Sequence, residues 1–205
     1  MHCRKQDRMM LLVSLTVLGF ALGSPSAVAQ EKKAAKKPSG EAAMAAPAPP
    51  AEIAQMNSMI GNWKCSSKMH LPPEMGGEQS GTSTMAIKKD MNGYWLVGQW
   101  KMAKTKTMPE MKGTFYWGYD AAEKKFVELG VDNGGTYMRG TSDGPQSGVW
   151  VWNEEGTMMG KKMKSRTTFT QKTPDTTQVK SEMEAEPGKW IPMGEDDCKK
   201  QSGSA

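Results

Sequence analysis

The residue types that most often carry catalysis are sparse in this sequence. The chain has two histidines, His2 and His70. His2 lies in the predicted signal peptide described below, so a Ser-His-Asp or Cys-His relay has at most one possible base. Two acidic pairs, Glu154-Glu155 and Asp196-Asp197, lie in segments with strand patterning. Neighbouring residues of a strand face opposite sides, so neither pair directs both carboxylates at one substrate. We predict no catalytic residues, no cofactor and no enzymatic activity.

Methionine is the second chemically distinctive residue. The chain has 19 methionines, and 16 of them follow residue 29, where only three leucines occur. Thioethers suit Cu(I), and Met108-x-x-Met111 with His70 offers such ligands. Methionine used in place of leucine in the core explains the same abundance without a metal. We therefore predict no metal site and keep periplasmic Cu(I) handling through Met108, Met111 and His70 as an alternative.

Residues 1–29 have the features of a secretory signal peptide. Three basic residues precede an apolar run over 9–22, and small residues follow that end in Ala27-Val28-Ala29. The run is shorter than the roughly 20 residues that span a bilayer. We expect a mature chain that begins at Gln30, is periplasmic or secreted, and has no membrane span after cleavage. A retained membrane anchor is the alternative.

Residues 30–51 have the composition of a disordered linker. Ala, Pro, Lys and Glu dominate this segment, and it has no periodic apolar pattern. No aromatic residues are interleaved with its lysines, as stacking on nucleic acid requires. Without the signal peptide the formal charge falls from +5 to +3. We predict no nucleic-acid partner and a folded domain over residues 52–205.

The folded region opens with helical periodicity and continues with strand periodicity. Apolar residues at 53, 56, 59 and 60 lie on one helical face that ends at Gly61. From Trp63 onward apolar and polar residues alternate in about ten short runs, separated by turn sequences. Short connections pair consecutive strands antiparallel. We predict an all-β fold, an antiparallel up-and-down closed β-barrel of about ten strands preceded by one short helix. A β-sandwich is the alternative.

Cysteine usage supports closure of the barrel. Cys3 is removed with the signal peptide, and Cys65 and Cys198 remain near the two ends of the folded region. Barrel closure brings the first and last strands together, so we predict a Cys65–Cys198 disulfide in an oxidising compartment. This disulfide would close a loop of more than 130 residues and so remove about 4 to 5 kcal/mol of conformational entropy from the unfolded state. Two unpaired buried thiols are the alternative.

The inward faces of the strands predict a ligand cavity. A ten-strand barrel is wider than the eight-strand barrel that side chains can just fill. In the two runs around residues 163–170 and 177–185, small, polar and apolar residues occupy the inward positions, and charged residues occupy many of the outward ones. Small inward residues would leave a cavity. The predicted ligand-binding residues are Leu96, Trp100, Met163, Ser165, Thr167, Phe169, Val179, Ser181 and Met183. A lumen plugged by Trp, Tyr and Met is the alternative.

Four strings, in order, resemble a known family. They are Met59-Ile60-Gly61-Asn62-Trp63, Tyr116-Trp117-Gly118-Tyr119-Asp120, residues 126–133, and residues 139–144. Over roughly residues 53–200 the chain resembles the bacterial domain of unknown function number 1579. The resemblance implies a secreted or periplasmic barrel similar to the calycin group, which includes lipocalins, without an assigned reaction. Lipocalins have an arginine near the last strand, whereas this chain has Lys199 and Lys200, so the sequence leaves open whether a cation packs on Trp63.

These patterns predict an exported, non-enzymatic β-barrel that binds a small apolar or amphipathic ligand in its lumen. The expected partner is a small lipophilic molecule. Besides Cu(I) handling, an envelope interaction module with no ligand is an alternative function. The sequence leaves the identity of the ligand and the oligomeric state open.

Overall fold

The computed structural model describes residues 46–73, 77–158 and 160–202. The predicted signal peptide and residues 30–45 of the predicted linker lie outside these residues. Within the described ranges, no helix combines the length and apolarity that are needed to cross a bilayer.

A 3₁₀ helix, Ala51–Met59, precedes the first strand. It is the predicted short helix, and it begins one residue inside the predicted linker. The apolar spacing of three residues suits the three residues per turn of a 3₁₀ helix, and Ile53 and Met56 are buried. These two side chains pack against barrel residues such as Ile87 and Trp150. The helix therefore covers one end of the lumen.

Ten antiparallel strands follow and close into a barrel, as predicted. Each strand pairs with its neighbours in the sequence, and β1 pairs with β10. A second, three-residue 3₁₀ turn, Met91–Gly93, connects β2 to β3. The strands are β1 (Gly61–His70), β2 (Glu78–Asp90), β3 (Trp95–Met102), β4 (Met111–Asp120), β5 (Lys125–Asp132), β6 (Tyr137–Ser142), β7 (Val149–Met158), β8 (Lys161–Thr173), β9 (Thr176–Glu186) and β10 (Lys189–Lys200).

The first and last strands meet at the predicted disulfide. Cys65 and Cys198 are register partners on β1 and β10, and their sulfur atoms are bonded. Nearby, the Lys200 Nζ atom lies 4.9 Å from the centre of the Trp63 ring and donates a hydrogen bond to the Ser58 carbonyl. A cation does pack on Trp63, because the long lysine side chain reaches the ring face.

The lumen has two halves that are packed differently. The helix half is a core of the 3₁₀ helix and large apolar side chains, in which the Trp117 and Trp152 rings stack with centroids 5.6 Å apart. The far half contains the inward positions toward the opposite strand ends. Its methionines include Met69, Met102, Met111, Met138, Met163 and Met183. All of these except Met69 are half-buried, so the far half is more accessible to solvent.

Candidate functional site

The strand alternation separates the two members of each acidic pair. Glu154 faces the lumen, whereas Glu155 is exposed and pairs with Arg139 outside. Asp196 accepts a hydrogen bond from the buried Ser67 hydroxyl, and Asp197 is exposed. Neither pair directs both of its carboxylates to one side.

A different pair of carboxyl groups meets at the boundary between the two halves of the lumen. Glu128 on β5 and Glu154 on β7 are both register partners of Gly140 on β6. A Cβ atom on residue 140 would lie 2.9 Å from Glu154 Cγ and 3.6 Å from Glu128 Oε2. Because glycine leaves this space empty, the two acidic side chains extend toward each other over the intervening strand.

Hydroxyl groups hold one of these acids, and an indole faces the other. The Ser165 hydroxyl donates to Glu154 Oε2, and the Thr167 hydroxyl also stabilises the ionised form of Glu154. Trp117 is the register partner of Glu128 on β4, and its N–H favours the Glu128 carboxylate. Even so, within the described residues neither Trp117 Nε1 nor Glu128 Oε2 has a partner at hydrogen-bonding distance, and both atoms are buried.

Burial changes the protonation of the lumen acids. Burial, and after it the negative charge of Glu154, raises the pKa of Glu128 to about 8. Burial also raises the pKa of Glu154, against the stabilising effect of its two hydroxyl partners. The pKa of Asp196 is raised by burial as well, while Ser67 and Ser83 oppose the shift. Glu128 is therefore mostly protonated at neutral pH.

The basic side chains of the neighbouring strands do not neutralise these acids. Arg139 forms an ion pair with Glu155. The Lys164 Nζ atom lies 3.6 Å from Glu184 Oε2. The Arg166 guanidinium nitrogen lies 2.7 Å from Glu182 Oε2. These three pairs occupy the outward positions of β6 to β9. The register partners around the wall at the level of the acids are Trp117, Glu128, Gly140, Glu154, Ser165 and Met183.

The structure brings together most of the predicted ligand-binding residues. On β8 and β9 the register partners are Ser165 with Met183, Thr167 with Ser181, and Phe169 with Val179. Met163 continues the same face of β8. Leu96 and Trp100 lie on β3 instead; Leu96 is a fully buried member of the helix-half core, and the half-buried Trp100 packs against that core. Ligand contact by these residues remains a prediction.

The available space is distributed unevenly. In the helix half, a cavity of about 10 Å³ is lined by residues that include Trp117, Phe169 and Val179, and a volume of that order holds a single water molecule. This part of the lumen is plugged. In the far half, a Cβ atom on Gly130 would meet nothing closer than Phe115 Cβ at 4.0 Å. Gly130 follows Glu128 on the same inner face, so there is room beside that acid.

Two larger grooves are lined by outward-facing residues as well as by parts of the barrel wall. One has a volume of about 800 Å³, and its lining includes Lys64, Gln99 and Lys112. The other, of about 610 Å³, is lined by Glu128 and Glu154 among other residues. Most of the lining of this second groove consists of outward positions, among them Arg139, Asn153 and Lys164, so the groove lies on the outer face of the wall that carries the acid pair.

The residues of the alternative copper site lie at the far end of the barrel. His70 ends β1, and its Nδ1 atom lies 3.6 Å from the Glu78 carboxylate. Met111 begins β4 opposite Met102, and Met108 lies in the loop between β3 and β4. In the part of the chain that the structure describes, no three His, Cys, Asp or Glu side chains are arranged to hold a metal ion.

The sequence from residue 48 to residue 200 matches the family described as "Protein of unknown function (DUF1579)". The chain belongs to the DUF1579 family. The match contains every strand of the barrel and the 3₁₀ helix. No curated protein matches this DUF1579 sequence.

Several solved structures resemble this DUF1579 barrel at low sequence identity. Rv2717c from M. tuberculosis is 8% identical, with a TM-score of 0.56, over 75% of this chain and 99% of that one. The S-type phycobiliprotein lyase CPES from Guillardia theta is 12% identical, with a TM-score of 0.48, over 77% and 100% of the two chains. A redesigned β-barrel is 9% identical, with a TM-score of 0.41, over 72% and 96%. The likeness to Rv2717c shows a shared fold and nothing about activity.

Proposed function

We propose that this DUF1579 protein is an exported, non-enzymatic barrel that binds a small apolar or amphipathic molecule in the far half of its lumen. The observation that carries the proposal is a pair of buried polar atoms without a partner among the described residues, Trp117 Nε1 and Glu128 Oε2, at the boundary between the two halves. An unpaired buried polar group costs about 1 to 3 kcal/mol. A bound molecule that brings its own polar atoms would recover part of this cost.

The chemistry of the surrounding wall supports an amphipathic ligand. The methionines of the far half are flexible and polarisable, and such side chains adapt to apolar groups of different shapes. Hydroxyl groups from Ser165, Thr167 and Ser181 interrupt this apolar surface. The helix half is filled by aromatic rings, so the proposal assigns the ligand to the far half.

The non-enzymatic character and the export are parts of the same proposal. The single histidine of the folded region pairs with Glu78 at the rim, away from the two lumen acids. The signal-peptide features of residues 1–29 and the Cys65–Cys198 bond support an oxidising compartment. An exported chain would have Gln30 as its first residue.

A neutral fluorescent probe such as N-phenyl-1-naphthylamine tests lumen binding. We expect the wild-type protein to bind this probe. The Met183→Arg variant should weaken binding at least tenfold, because it places an unpaired charge beside Ser165 on the inner wall. The matched control is Val151→Arg, since Val151 is an outward residue of β7 with 36% exposure. Fluorescence titration of the three proteins measures the affinities.

Absence of probe binding to the wild-type protein would refute the proposal. Equal weakening in both arginine variants would also count against it. The pairing of Met102 with Met111 favours Cu(I) handling as the second candidate. If the probe does not bind, and tight stoichiometric Cu(I) binding is lost in a Met108→Leu, Met111→Leu variant, the copper function replaces the lumen ligand.

A further inference from the structure

The acids of the lumen have no cation among their register neighbours. Glu128 and Glu154 approach each other over Gly140, and the other wall positions at this level are an indole, a hydroxyl and a thioether. Arg139 on β6 and the β8 residues Lys164 and Arg166 are already paired with outer-face acids. A positive charge at this level would therefore have to come from outside the chain.

A second feature points to a ligand at the same place. Trp117 is 1% exposed, its N–H has no partner among the described residues, and it faces Glu128 across β4 and β5. An indole N–H donates more strongly to an ionised carboxylate than to a neutral acid. Ionisation of Glu128 beside a bound cation would thus give this buried donor an acceptor.

The far half can accommodate the rest of such a molecule. Space lies beside Gly130, next to Glu128 on the inner face. On the opposite side of Gly140, Ser165 and Met183 continue the wall. Thioethers and alkyl chains form an apolar contact, so a hydrocarbon chain would extend from the acids toward the methionines.

We propose that the lumen ligand is an amphipathic organic cation whose ammonium group lies between Glu128 and Glu154. This inference rests on the proposed lumen binding and adds the chemical class of the ligand. The two carboxyl groups neutralise the head group, and the apolar chain occupies the far half. Binding at neutral pH releases a proton from Glu128 because the cation stabilises the carboxylate.

Three ligands with the same eight-carbon chain test the head group: octylammonium, octanol and octanoate. In calorimetric titrations at pH 7 we expect octylammonium to bind at least tenfold more tightly than octanol, and octanoate to bind most weakly. Repeating the octylammonium titration in buffers of different ionisation enthalpy should show proton release. That release should disappear in Glu128→Gln.

The variants separate the head-group contact from the apolar contact. Glu128→Gln and Glu154→Gln should each weaken octylammonium binding at least fivefold and leave octanol binding unchanged within twofold. The matched control is Glu155→Gln, an outward acid on the same strand as Glu154, which should bind like wild type. Gly130→Leu keeps both acids but fills the space beside them, so it should weaken octylammonium and octanol alike.

The outcomes also separate this inference from the proposed function. Octanol binding as tightly as octylammonium would overturn the cationic head group while lumen binding stands. Octylammonium binding that persists in both glutamine variants would overturn the site. If none of the three ligands binds while N-phenyl-1-naphthylamine does, the inference fails and lumen binding stands; if the probe does not bind either, both fail. Circular dichroism of each variant establishes that the barrel is folded before the affinities are compared.

Discussion

The helix half and the far half fill the same ten-strand barrel in different ways. The helix half contains stacked tryptophans with the apolar side chains of a 3₁₀ helix between the strand ends. The far half contains methionines, hydroxyls, glycines and carboxyl groups, most of them half-buried. Large rigid rings exclude space, whereas small and flexible side chains leave it. One barrel can therefore keep a stable core in one half and room for a ligand in the other.

The largest effect that would distinguish the two halves is the loss of a core ring. Trp152 is fully buried and stacks between Trp117 and Trp150. Trp152→Ala should lower the free energy of unfolding by about 4 kcal/mol, because it leaves a cavity that rigid neighbours cannot fill. Met163→Ala, in the half-buried far half, should cost about 1 kcal/mol. Urea denaturation measures both. Equal costs would mean that the halves do not differ in packing.

A smaller effect should appear in the pH dependence of stability. Burial first, and Glu154 second, raise the pKa of Glu128 from 4.5 to about 8. Between these pH values the folded state holds a proton that the unfolded state has lost. The free energy of unfolding should therefore fall as pH rises from about 5 to about 8, by roughly 3 to 4 kcal/mol.

Urea denaturation across pH 5 to 9 checks this expectation. Asp196 and Glu154 also have raised pKa values, so they act in the same direction. Glu128→Gln should flatten the profile most, while Glu155→Gln on the outer face should leave its slope unchanged. A wild-type stability that rises with pH over this range would contradict the buried state of Glu128.

The smallest expected effect concerns the rim of the helix half. Lys200 contacts the Trp63 ring and donates to the Ser58 carbonyl of the 3₁₀ helix. Lys200→Met keeps the alkyl chain and removes the charge, so it should cost about 0.5 to 1 kcal/mol. Lys199→Met, at the neighbouring exposed position, is the control. Thermal denaturation of the pair should show a lower midpoint for Lys200→Met alone.

Features with a local pattern could be predicted from the sequence. The two-residue alternation and the turn residues gave the ten strands and their order, and two cysteines indicated closure. The pattern did not define the strand ends, because backbone pairing continues through polar segments such as 78–83 at the start of β2. The short first helix was predicted, but its type was left open because a three-residue apolar repeat fits an α-helix and a 3₁₀ helix alike.

The acid pair could not be derived from local spacing. Glu128 and Glu154 meet because two successive strand registers place both opposite Gly140, and registers are non-local. One signal was present in the sequence: Glu128 shares strand parity with Phe126 and Gly130, so it stands at an inward position. Likewise, no pattern in the sequence predicts that Lys200 rather than Lys199 contacts Trp63. The register between β1 and β10 determines which lysine lies opposite Trp63.

The pairing of β1 with β10 has a consequence for the connectivity of the barrel. The first strand, β1, pairs with the last strand, β10, and the Cys65–Cys198 disulfide joins these two strands covalently. The order of strands is thus circular, and the break between β1 and β10 is one of ten equivalent places for chain ends. A circular permutant linked at this seam and opened in the exposed β4–β5 turn at 121–124 would retain every strand pair.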